Sequence, residues 1–211
     1  MAIKEAAATN IQFHTDPRCP FAWRTALWAR EARKVRPLTI TWRIFSLEVV
    51  NRKEGVEADY VNGGGWPALR TLALARRLHG NEGFEKLYVA IGNAIHGRKE
   101  DMQDLGNLAA VAQAAGFPSS IVEQAMADDS TIQDVLKDHQ EALDRYQAIG
   151  VPTIALDGSD IGFFGPVIVD VPQGEEAGEL WDYTAWSLTQ PNLFEMKRTR
   201  LGGLKPVFAQ D

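Results

Sequence analysis

The chain has 211 residues, 45 % of them hydrophobic and 24 % charged, with a formal net charge of −6. A chain of this length buries about 70 % of its unfolded surface, so it needs neither disulfides nor a metal to fold. The acidic balance and the lack of a basic tract with interleaved aromatics argue against a nucleic-acid binder. One cysteine, Cys19, excludes an intramolecular disulfide and points to a reducing cytoplasm as the default compartment.

The opening, Met1 to Asn10, carries a lysine and a glutamate and no apolar core, so it does not read as a signal peptide. Ile11 to His14 alternates apolar and polar residues, the mark of a strand. Asp16-Pro17 breaks that pattern. From Pro20 to about Val35, Trp23, Leu27, Trp28 and Val35 recur at helical spacing. Pro20 suits a first helical position, where its missing N–H has no partner to lose, and Arg30, Arg33 and Lys34 complement the dipole at the far end. Leu38 to Leu47 reads as a second strand rich in β-branched and aromatic residues. This strand–helix–strand order implies a right-handed crossover between parallel neighbours.

Strand signals are then missing from about Asp59 to Ala148. Trp66–Leu78, Gly83–Ile95, Leu105–Ala115, Ser119–Ala127 and Thr131–Tyr146 read as helices, punctuated by Gly80, Gly97, Gly116 and Pro118. The uncharged stretch Leu105 to Val122 contains Gly106, Asn107, Gln113, Gly116 and Pro118, which rules it out as a membrane span. Thr153–Leu156 and Ile161–Phe164 flank Asp157-Gly158, a hairpin signal. A last helix runs from about Glu175 to Leu188. The layout is α/β: a thioredoxin fold, βαβ…ββα, with an all-helical domain inserted between the second and third strands. The expected boundaries are residues 1–58 and 149–211 for the thioredoxin-like part and 59–148 for the insertion.

Cys19 stands immediately before the helix-opening Pro20. A thiol there faces the positive end of the helix dipole and unpaired backbone N–H groups, which stabilise a thiolate and lower its pKa. Arg18 adds positive charge. An isolated cysteine is more often an inert buried hydrophobe, and the position is what favours function here. Gly150-Val151-Pro152-Thr153 precedes the third strand, where a proline costs no ladder hydrogen bond. The four histidines, His14, His79, His96 and His139, show no metal-ligand spacing, so no metal is expected. Gly63-Gly64-Gly65 lacks the spacing of a dinucleotide loop, and Trp66 after it suits either core packing or a pocket wall.

Together these elements resemble the DsbA-like thioredoxin domains. The stretches that carry the resemblance are Asp16-Pro17-Arg18-Cys19-Pro20-Phe21-Ala22-Trp23, Gly92-Asn93-Ala94-Ile95-His96, Phe163-Phe164-Gly165-Pro166-Val167, Gly174 to Asp182 and Lys197-Arg198-Thr199-Arg200. The chain is most similar to the actinobacterial mycothiol-dependent nitroreductases of the mycoredoxin type, and more distantly to kappa-class glutathione transferases and 2-hydroxychromene-2-carboxylate isomerases. The resemblance implies a thiol-dependent oxidoreductase with Cys19 as catalytic nucleophile and a cis Val151-Pro152 bond. The expected thiol- and substrate-binding residues are Arg18, Pro20, Phe21, Ala22, Val151, Pro152 and Thr153 around the cysteine, with Trp66 and His96 from the inserted helices closing a pocket over it. Mycothiol, or glutathione, would serve as co-substrate with no tightly bound cofactor, acting on disulfides or on electrophilic or nitro-bearing small molecules.

The dithiol members carry a second cysteine where Ala22 stands, so intramolecular release of a mixed disulfide is unavailable. Two other readings stay open: a kappa-like transferase or isomerase, and a non-catalytic thioredoxin-like scaffold. Neither a nucleic acid nor a membrane is an expected partner, and the oligomeric state is open, a homodimer among the options.

Overall fold

The computed structural model describes residues 9–199 and 203–209. Residues 1–8 of the N-terminal tail, and Arg200, lie outside them. Strand β1 (Thr9–Thr15) leads into α1 (Pro20–Val35), which returns to β2 (Leu38–Ile44). Between β2 and β3 come α2 (Leu47–Asn51), α3 (Trp66–Gly92), a π-helical turn (Asn93–Arg98), α4 (Leu105–Ala114), α5 (Ile121–Ala127) and α6 (Ser130–Tyr146). Strands β3 (Thr153–Leu156) and β4 (Gly162–Phe164) and helix α7 (Gly174–Leu188) complete the chain. The sheet order is β2-β1-β3-β4, with β1 parallel to β2 and antiparallel to β3, and β3 antiparallel to β4. This is the thioredoxin-like arrangement expected from the strand–helix–strand opening and the Asp157-Gly158 hairpin.

One expected element ends early. The second strand stops at Ile44 rather than Leu47, because Ser46 caps a short helix, its hydroxyl accepting the Val49 N–H at 3.2 Å. The two helices expected over Trp66–Leu78 and Gly83–Ile95 are present within α3 and meet at Gly80, whose non-helical backbone, with a φ of 67°, lies in the left-handed region that glycine adopts freely. Helix α3 then widens into the π turn that carries His96.

The apolar core is continuous across the sheet, α1, α3 to α6 and α7. It gathers Phe13, Trp23, Trp28, Trp42, Phe84, Tyr88, Val135 and Trp181, among others. Trp23 packs so closely on the end of α3 that a Cβ at Gly92 would overlap its ring. The outer edge of β2 would otherwise expose unpaired backbone groups. Helical side chains cover it instead. Asn81 accepts the Trp42 N–H and donates to the Ile40 carbonyl, both at 2.8 Å, and Asp138 accepts the Ile44 N–H at 2.8 Å. The helices between β2 and β3 are thus joined to the sheet by hydrogen bonds as well as by packing.

Candidate active site

Cys19 is the N-cap of α1. Its backbone N–H donates to the Asp16 carbonyl at 3.0 Å, which closes the turn that leads into the helix. The sulfur takes the capping role usually filled by a Ser, Thr, Asp or Asn oxygen, accepting the Ala22 N–H at 3.4 Å. From the other side the thiol donates to the Val151 carbonyl at 3.3 Å. The Val151-Pro152 bond is cis, as the family resemblance implied. The two sequence elements, 132 residues apart, therefore meet at the sulfur.

Cys19 is only 7 % exposed, in a small apolar cluster with Ala22, Phe45, Ala142, Ala148 and Val151, flanked by Phe21, Leu47, Val50 and Leu143. The placement at the helix start is as expected, but the direction of the pKa is not. Burial pushes the thiol up, against the pull of the Ala22 and Phe21 N–H groups, and the nearby Asp16 carboxylate adds to the rise. The N–H groups favour a thiolate, while the Val151 carbonyl can only hold the protonated form. In this closed arrangement the thiol is the resting species.

Asp16, which the sequence shows only as a strand breaker, is fully buried and organises the loop. One carboxylate oxygen accepts the Arg18 N–H and the other the Leu47 N–H, both at 2.8 Å. It thereby ties the cysteine turn to the start of α2. Burial raises its pKa to about 6 against these two backbone bonds and the Arg18 charge.

His96 reaches the same turn from the π segment. Its Nε2–H donates to the Pro17 carbonyl at 2.8 Å, and its ring stacks on Trp23 at 6.0 Å. Burial holds its pKa down to about 4, so the ring is neutral near pH 7. Trp66 presents no surface. It is fully buried in the core, edge-on to Tyr60, with its indole N–H donated to Glu48 at 2.8 Å. It bears on the site indirectly, by holding Glu48.

The remaining expected residues lie at the ends of these elements. Thr153 is buried, its hydroxyl donating to the Gly150 carbonyl at 2.8 Å, and the Pro152 carbonyl accepts the Gly165 N–H at 2.9 Å. Pro20 begins α1, Phe21 is half-buried beside the thiol, and Ala22 is buried with its N–H on the sulfur.

Next to this turn lies an open cleft of about 560 Å³ lined by Arg18, Leu47, Glu48, Asn51, Arg52, Lys53 and Val56. Five of these seven come from α2 or its ends, an element absent from the sequence reading. Its signals were present in Ser46 as a cap and in Glu48 and Arg52 at i,i+4 spacing. Arg52 donates to both Glu48 oxygens, at 2.8 and 2.6 Å, and lies over the Tyr60 ring. Among the described residues no group of three or more His, Cys, Asp or Glu could hold a metal, and no helix is long and apolar enough to cross a membrane.

Known proteins match this arrangement. Among solved structures, a probable DsbA oxidoreductase, SCO1869, from Streptomyces coelicolor superposes with a TM-score of 0.64 at 18 % identity, over 93 % of this chain and 94 % of that one. The cytosolic disulfide reductase DsbM from Pseudomonas aeruginosa gives 0.61 at 13 % identity, over 84 % and 98 %. A 2-hydroxychromene-2-carboxylate isomerase gives 0.59 at 18 % identity, over 84 % and 93 %. These likenesses establish a DsbA-like thioredoxin fold. In sequence, the protein Rv2286c of Mycobacterium tuberculosis is 35 % identical over 196 residues, 91 % of this chain and 83 % of that protein. The family model of the mycothiol-dependent nitroreductase Rv2466c matches residues 18–198, from the residue before the cysteine to beyond α7. The chain therefore belongs to the Rv2466c-like family.

Proposed function

We propose that the protein is a monothiol oxidoreductase in which Cys19 exchanges with a low-molecular-weight thiol, mycothiol by family membership. Its substrates on this reading are disulfides or electrophilic and nitro-bearing small molecules. The observation that carries the reading is the sulfur itself, capping α1 and facing the Val151 carbonyl. A buried structural cysteine has no need of either contact.

In the exchange step, the Cys19 thiol gives up its proton to solvent and its bond to Val151, and the thiolate is held by the Phe21 and Ala22 N–H groups. It attacks one sulfur of a disulfide. A Cys19–S–S–R bond forms as the R–S–S–R bond breaks, and R–S⁻ leaves. With alanine at position 22, a second small thiol must attack the mixed disulfide to regenerate Cys19. The Val151 carbonyl, released by the thiol, becomes free to accept a hydrogen bond from the bound partner, as peptide and thiol ligands use exposed backbone groups. A reducing, cytoplasmic setting suits such a resting thiol.

Intact mass after incubation with oxidised mycothiol, and separately with oxidised glutathione, tests the reading. One adduct on Cys19 from mycothiol is the expected result. Adduct formation from glutathione alone would change the co-substrate. No adduct from either, with the thiol still titratable after unfolding, would remove the exchange reading and favour the transferase or isomerase alternative.

A further inference from the structure

The cleft beside Cys19 carries an unusual charge for this chain. Its lining holds three cations, Arg18, Arg52 and Lys53, and one carboxylate, Glu48, in a protein whose net charge is −6. Glu48 is committed, since both its oxygens bind Arg52 and one also accepts the Trp66 indole N–H. Among the described residues, neither Arg18 nor Lys53 has a carboxylate at ion-pair distance, and both are exposed. Two cations without an ion-pair partner therefore line one opening, and one of them belongs to the residue next to the nucleophile, where the buried Asp16 carboxylate offsets part of its charge.

Arg18 also lies against a glycine loop. Its side chain lies across the Gly63-Gly64-Gly65 loop so closely that a Cβ at Gly64 would overlap the guanidinium and one at Gly65 would crowd its stem. The glycine run, which the function above leaves unused, is what allows that approach. The planar guanidinium suits bidentate recognition of an oxyanion. Leu47 and Val56 give the same cleft apolar wall, where water screens charge less.

We propose that Arg18 and Lys53 form an anion subsite, so that the electrophile attacked by Cys19 is a small molecule with an apolar body and a carboxylate, sulfonate or phosphate. The proposal rests on Cys19 being the nucleophile, and it adds a substrate class to that reading. Asn51, from the end of α2, is the uncharged polar group beside the pair.

Two alkylating reagents of the same chemistry separate the ideas. Iodoacetate and iodoacetamide both form a C–S bond with the thiolate and release iodide, but only the first is an anion. The ratio of their rates at Cys19 is to be measured in the folded protein and in the same chain unfolded in urea, at low ionic strength.

The folded ratio is expected to exceed the unfolded one by about tenfold, the low end of electrostatic focusing in a cleft. It should fall toward the unfolded ratio in 0.5 M salt, where the Debye length is about threefold shorter than at 0.05 M. Arg18→Gln and Lys53→Gln should each lower it by about threefold, as one of two comparable contributions to that focusing. A folded ratio at or below the unfolded one, or a ratio indifferent to both substitutions, would overturn the subsite while leaving the nucleophile intact. If the folded protein reacts with neither reagent while the unfolded chain reacts with both, the nucleophile reading itself fails, and the subsite with it.

Discussion

The two walls of the cleft are built by different means. The cysteine wall is a matter of backbone: a capped helix start, an Asp16 carboxylate on two N–H groups, and the Val151 carbonyl against the thiol. The facing wall, α2 with the start of α3, depends on side chains. Glu48 joins Arg52 and Trp66, Arg52 covers Tyr60, and Trp66 is anchored in the core. The first wall fixes the surroundings of the sulfur through backbone contacts. The second sets the charge of the opening through Glu48 and Arg52, while Leu47 and Val50 of the same helix pack against the cluster that holds Cys19.

Substitution at Cys19 breaks the first wall's chemistry while sparing its architecture. Cys19→Ser should reduce thiol exchange to the uncatalysed background, because the hydroxyl is a far weaker nucleophile. The fold should survive, since serine is among the preferred helix N-caps. Exchange rates together with a thermal melt check both halves. Residual exchange in the serine variant would move the reaction elsewhere.

The second wall is tested by Trp66→Ala. Removing a fully buried tryptophan should cost about 3–5 kcal/mol, lowering the melting temperature by roughly 6–20 °C for a chain of this size. Trp66→Phe keeps most of the packing and loses the bond to Glu48, and should cost about 1–2 kcal/mol. Denaturant melts of the two variants separate packing from anchoring. If the phenylalanine variant is as damaged as the alanine one, the Glu48 bond matters more than the ring.

Acid acts on buried groups whose shifts have opposite signs. Burial holds His14 down to about 3 and His96 and His139 down to about 4, from an ordinary value of 6.5. Between those values the unfolded chain binds more protons than the folded one, so these groups favour folding above pH 6.5 and lose that contribution as the pH falls toward 4 and 3. Asp16, raised from 3.8 to about 6, has the reverse sign: its contribution is fully present below 3.8 and is lost as the pH rises through 6. Three histidines outweigh one aspartate, so stability from urea melts should decline from pH 6.5 to 4. A flat or rising profile over that window would contradict the buried, neutral histidines.

The smallest expected effect is at Asp16. Asp16→Asn removes the negative charge beside the sulfur, so the midpoint of Cys19 alkylation against pH should move down, the direction in which the carboxylate's influence is lost. The same variant should steepen the loss of stability on acidification, because the one opposing group is gone. An upward shift of the midpoint would mean that Asp16 acts chiefly by shaping the turn.

Much of this arrangement could be read locally. Pro20 after Cys19 marks a helix start by the rules of φ and missing donors, and the alternation around Ile11 and Ile40 marks strands by side-chain period. The thiol's contact with the sheet end before β3 became legible only through family resemblance, because nothing local links Cys19 to Val151. What stayed hidden had non-local causes. Leu38–Leu47 read as one strand because Phe45 and Leu47 are apolar, yet both pack beside Cys19, after β2 has ended. Trp66 looked equally suited to a pocket or a core, and only its burial against Tyr60 decides for the core.

The sequence by itself determined where the single cysteine sits, the order of the elements and the absence of a second thiol, since these follow from residue identity and short-range backbone preference. Only the tertiary structure decided the state of that thiol. Desolvation depends on which distant groups exclude water, and here Phe45, Ala142, Ala148 and Val151 close over a sulfur that the helix start alone would have left charged.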